Sequence, residues 1–148
     1  MVSGISNLIS KNAIRDRYNL HKKRMFKRDR SILELGSIPT PPLRPLYLEF
    51  KDETIYSIVE SFFSSAKYNL WVNSETILRK TIGIQALFDI LNIILKSLNS
   101  VGKIILDKEY FDQILLKVNV EEIDAIGRNY SGSGRVAIRN KLREQINI

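Results

Sequence analysis

Apolar residues in the second half of this chain recur with the period of an α-helix, and no other feature restricts the fold as much. Ile84, Leu87, Phe88, Leu91, Leu95 and Leu98 share one stripe, and Ile93 and Ile94 widen it. So broad a stripe leaves little surface for water, so this segment is expected to be the central, most buried helix. Gly83, just ahead of it, reads as a break between a short helix over 74–81 and a long one over 83–99. Ile55, Ile58, Val59, Phe62, Phe63 and Ala66 form a second stripe. Their spacing predicts a helix over 53–67 with Asp52 as its N-cap. Asp107 should cap a third helix, with Phe111, Ile114, Leu115 and Val118 on one face. Residues 119–127 are acidic and read as a solvated turn or short helix. The last helix is expected from about 135 to 146. The core predicted from these stripes is Phe62, Phe63, Ile84, Leu87, Phe88, Leu91 and Leu115.

All four prolines lie between Pro39 and Pro45. Each lacks a backbone donor and restricts the residue before it, so this stretch should be an extended connector. It also fits an SH3-type ligand, a reading with no other support in the chain. Upstream, Ile14, Tyr18 and Met25 share a stripe, which predicts one helix from Asn7 to about Arg30. Downstream, Leu46-Tyr-Leu-Glu-Phe50 reads as a short strand. The expected fold is therefore mainly α, a multi-helical single domain with at most a minor strand or hairpin near residues 46–50. Its expected parts are a basic helical N-terminal arm (1–37), a proline-rich connector (38–46) and a helical core (47–148).

The net charge of +7 is placed unevenly. Residues 1–30 hold nine basic residues against Asp16 and Asp29, which already makes +7. Residues 31–148 hold 14 basic and 14 acidic residues and sum to zero. Such a block attracts polyanions: nucleic acid, anionic lipid or an acidic protein surface. Lys11, Arg15, Lys22, Lys23, Arg24, Lys27 and Arg28 are the candidate phosphate contacts. A second candidate set lies near the C-terminus. Arg135, Arg139 and Arg143 are spaced i, i+4, i+8 beside the apolar stripe Ile138, Leu142 and Ile146. Ser131-Gly132-Ser133-Gly134 just before them could present backbone N–H groups to a phosphate. The bland reading is a flexible turn with solvated arginines, and the lysine and hydroxyl of a Walker loop are absent.

The chain has no cysteine, which excludes disulfides, thiolate metal sites and thiol nucleophiles. Its one histidine, His21, has no serine or carboxylate frame for general-base work. Glu49 and Lys51 on the expected strand have the spacing of some Mg²⁺-dependent nuclease cores, but no upstream Asp is suitably placed, so a solvent-facing pair is the better reading. Glu121, Glu122 and Asp124 do not match an EF-hand loop. No catalytic residue, metal site or cofactor is therefore assigned. The chain opens with no charged n-region and apolar run, and Ile82–Leu95, with Gln85 and Asp89 inside it, is too short to span a bilayer. A cytoplasmic protein without a membrane partner is expected.

IPTPPLRPLYLEFKDETIYSIVESFF from Ile38 to Phe63, Trp71, and LRKTIGIQALFDIL from Leu78 to Leu91 resemble the C-terminal part of the DGQHR-domain family. YSGSGR from Tyr130 to Arg135 is similar to a Gly/Ser-rich segment that follows in such proteins, so the resemblance covers about residues 38–140. Those proteins are associated with DNA sulfur modification (phosphorothioation) and related phage-defence islands in bacteria. The Asp-Gly-Gln-His-Arg signature is absent from this chain, so no functional residue is carried over. The resemblance implies a non-catalytic, nucleic-acid-associated module of a bacterial DNA-modification or phage-defence system. Duplex DNA is the expected partner, together with other proteins of the system. The alternative is a protein-interaction or scaffolding domain whose basic arm binds an acidic partner.

Overall fold

Residues 2–10, 12–26, 41–98, 105–129 and 134–148 are described by a computed structural model. They form eight α-helices, with no strand among the described residues. In chain order these are α1 (Val2–Ile9), α2 (Ala13–Phe26), α3 (Arg44–Leu48), α4 (Asp52–Asn69), α5 (Thr81–Leu98), α6 (Lys108–Leu115), α7 (Val120–Asn129) and α8 (Gly134–Ile146). A 3-10 turn, Ile77–Arg79, precedes α5. The mainly α, multi-helical fold read from the sequence is the fold observed.

α5 is the central element. α1 and α8 pack on it, the 3-10 turn packs against its start, α4 pairs with α6, and α7 pairs with α8. Gly83, Ala86, Leu87, Phe88, Ile90, Leu91, Ile94 and Leu95 of α5 are all buried. By length and composition it is the one helix among the described residues long and apolar enough to cross a membrane, and here its apolar surface packs against its neighbours. Phe62 of α4 meets Phe111 of α6 edge-on at 5.3 Å, and the Asn69 amide donates to Asp112 across the same pair at 2.7 Å. Of the predicted core, Phe62, Leu87, Phe88, Leu91 and Leu115 are buried. Phe63 and Ile84 are only half-buried, because they line an open groove.

Gly83 does not mark a break. It sits inside the first turn of α5, where an added Cβ would lie 2.2 Å from the Ile77 carbonyl oxygen and 2.4 Å from Leu78 Cα. The glycine is there because the 3-10 turn presses on the helix.

The expected strand at 46–50 is a helical turn. Pro45 enters α3 at its start, where a missing N–H costs nothing. Phe50 then takes a left-handed conformation with φ 60°. Its N–H bonds the Tyr47 carbonyl, and the Lys51 N–H bonds the Leu46 carbonyl. That is a Schellman ending with phenylalanine in the usual place of glycine. Asn147, φ 59°, ends α8 by the same pattern of bonds. Asp52 lies in the first turn of α4 and Lys51 occupies the cap, without a side-chain bond. Asp107 does cap α6, accepting from the Tyr110 N–H at 2.9 Å.

The single helix expected from Asn7 onward is two helices. Ser10 accepts from the Asn12 N–H at 2.9 Å and donates to Asp16 at 2.7 Å, which turns the chain between α1 and α2. Leu8 of α1 is fully buried in the core, and its carbonyl accepts from the Leu43 N–H. Part of the N-terminal segment thus contributes to the same core as α5.

Candidate nucleic-acid interface

α2 carries five basic residues and one acid in its sequence, AIRDRYNLHKKRMF. Its packing with α3 and α4 places Asp16 and Arg17. Asp16 turns inward, where its side chain is 15 % exposed and accepts from Arg44 Nε at 2.9 Å and from Ser10 at 2.7 Å. Burial pushes the Asp16 carboxyl up, but the bonds from Arg44 and Ser10 outweigh it and hold the group below its ordinary value. Arg17 also turns inward. Its Nη2 donates to the Tyr47 carbonyl at 3.1 Å and pairs with Asp52. Its guanidinium lies 3.8 Å from the Tyr47 ring centre and 4.8 Å from that of Phe50. The Tyr47 hydroxyl completes the clasp by donating to the Ala13 carbonyl at 3.0 Å.

The outward face of α2 is what remains. Arg15 and His21 are exposed, as are Ile14 and Tyr18. Lys22, Lys23 and Arg24 belong to the backbone of α2, with their side chains outside the described residues. Lys11, Lys27 and Arg28 lie outside the described residues altogether. So do Ser131, Gly132 and Ser133 of the expected phosphate loop, while Gly134 is the buried first residue of α8.

The C-terminal arginines do not act as one stripe. Arg135 Nε donates to Asp89 of α5 at 2.7 Å, and its Nη2 makes a second bond to the same carboxylate. This bidentate pair joins the start of α8 to the middle of α5, and the neighbouring carboxylate raises the hold of Arg135 on its proton. Arg139 bonds the Asn140 side chain at 3.1 Å, and Arg143 bonds the Ile148 carbonyl at 3.3 Å. Lys141 is shared between Glu122 and Glu144. Arg139 and Arg143 thus bond near neighbours along the chain, while Arg135 is held to α5.

The acidic residues of α7 do not converge. Asp124 is buried and accepts from the Thr76 hydroxyl and the Ile77 N–H, both at 2.8 Å. Glu122 instead faces Lys141 and Gln145. The expectation of a solvated acidic turn fails at Asp124, because the 3-10 turn needs an acceptor for its first amide. Glu49 and Lys51 form an exposed pair at 2.7 Å beyond the end of α3. Among the described residues, no cluster of three or more metal-ligating side chains is present.

Two features escape a count of charges and a single helical stripe. Counting charges places Arg17 with the surface cations of the N-terminal block, although it is the clasp that mounts α2. Helical periodicity places Phe63 and Phe88 together in the core, although a groove opens beside them. The half-buried positions Val59 and Phe63, with exposed Tyr56, form a second stripe on α4 that signals it. No family model matches the chain, and no curated protein or solved structure matches it.

Proposed function

We propose that this chain is a non-catalytic nucleic-acid-associated module that binds the phosphate backbone of duplex DNA through α2. One observation carries the reading: the single acid of α2 is withdrawn and neutralised. Asp16 bonds Arg44 and Ser10, which leaves Arg15 outward with Lys22, Lys23 and Arg24 following on the same helix. A helix with no free carboxylate of its own attracts phosphate without self-competition. Exposed Tyr18 on the same helix adds an aromatic surface of the kind found among nucleic-acid contacts. Arg139 and Arg143 on α8 are further candidate phosphate contacts. The wider setting in a bacterial DNA-modification or phage-defence system rests on the resemblance over residues 38–140.

A gel shift on duplex DNA, competed with polyglutamate of matched charge, tests the reading. Retention of the DNA complex in excess polyglutamate supports the proposal. Preferential capture by polyglutamate supports instead the module with a basic helix for an acidic protein partner.

A further inference from the structure

α4 carries two apolar faces. Ile55, Ile58, Phe62 and Ala66 face the core and are buried. Tyr56, Val59 and Phe63 continue to Trp71 on a different face, and they are exposed or half-buried. That second face, with α1 and the start of α5, encloses an open groove of about 410 Å3. Its walls are Ile5, Val59, Phe63, Ile84, Phe88 and Trp71. The size and the aromatic lining are those of a small-molecule site, where an apolar body is buried and a few polar groups fix its orientation.

The polar groups are unevenly arranged. Glu60 lies on the rim beside Tyr56, whose hydroxyl reaches it at 3.5 Å. Two helical turns on, Lys67 lies on the rim near Trp71, exposed and without an ion-pair partner among the described residues. The Trp71 Nε1 donor is fully buried and finds no acceptor among the described residues.

We propose that this groove binds an amphipathic monocarboxylate. Its apolar body lies along Val59, Phe63, Ile84 and Phe88. Its carboxylate pairs with Lys67 at the end of the groove beside Trp71. Glu60 at the opposite end repels a carboxylate there, so the ligand has one orientation. Gly4 lets α1 approach the floor closely: a Cβ at this position would lie 2.5 Å from the Phe88 ring. The inference is independent of the nucleic-acid reading.

Trp71 is the only tryptophan, so its emission reports on this groove alone. The full chain is titrated with decanoate below its micellar concentration, with decanol as the uncharged control. The expected result is a saturable, one-to-one change in Trp71 emission with decanoate. Decanol should bind about tenfold more weakly, and Lys67→Met should remove that difference. Lys67 is exposed, so this variant keeps its fold, which far-UV circular dichroism checks. Ser64→Phe, which places a ring in the groove, should block both ligands. No saturable change with decanoate overturns the proposal, as does equal binding of decanol to the wild type. A shift in emission that follows protein concentration instead of decanoate also overturns it, and assigns the groove to a second copy of the chain.

Discussion

Asp124 and Arg135 illustrate how single polar side chains join distant parts of this chain. Asp124 serves the Thr76 hydroxyl and the Ile77 amide together, 48 and 47 residues away in sequence. Asp124→Ala leaves two donors unserved in a buried place and should cost about 2–3 kcal/mol in urea unfolding, with Asp124→Asn costing less. An unchanged midpoint for the alanine variant would show that water replaces the carboxylate. Arg135→Ala should lower stability by about 1–2 kcal/mol and leave DNA affinity nearly unchanged, because its guanidinium is bound to Asp89. A large loss of DNA affinity at unchanged stability would return Arg135 to the interface. Asp16 sets a pH dependence. Its carboxyl titrates lower in the fold than in the unfolded chain, so the stabilisation is complete above the unfolded value near ~3.9. It is lost as pH falls through the lower, folded value. Asp16→Asn should therefore flatten the acid limb of stability below about pH 4, measured by urea unfolding along a pH series.

At the scale of elements, the close approach of the 3-10 turn to α5 is decisive. Helix propensity alone would make Gly83→Ala stabilising by about 1 kcal/mol. The atoms within 2.4 Å of the new Cβ belong to the backbone of Ile77 and Leu78 and cannot swing away. The substitution should therefore cost about 2–3 kcal/mol by overpacking. A gain in stability would contradict the packing of the turn on α5. Phe88→Ala should cost about 3–5 kcal/mol through reduced burial and a cavity beside Phe63, its ring neighbour at 4.7 Å. α5 is legible in the sequence because a long apolar stripe has one period and one explanation. Leu46–Phe50 is not, since five residues of alternating pattern fit either a strand or one helical turn. What decides between them is tertiary: Tyr47, the second residue of the five, is held between Ala13 and Arg17. Gly83 misleads for a similar reason, because the backbone it accommodates is a separate element.

For the whole molecule, the charge block at the N-terminus is legible by counting alone, since the composition of residues 1–30 already holds the full excess. Which cations remain available is not legible. Asp16 finds Arg44 28 residues away, Arg17 finds Asp52 35 away, and Arg135 finds Asp89 46 away. Periodicity carries no information about such pairs. The structure takes Asp16 and Arg17 out of the free charges of the block and clasps α2 to α3 and α4. On the proposed reading, association with a polyanion should depend steeply on salt. The most direct measurement is fluorescence anisotropy on a labelled duplex from low to near-physiological salt. It compares the wild type with a variant in which Arg15, Lys22, Lys23 and Arg24 are alanine. The expected slope of log affinity against log salt is negative, and it should flatten by about 0.9 for each phosphate that the variant no longer neutralises. An affinity independent of salt, or a slope that the four substitutions leave unchanged, would contradict DNA binding through α2.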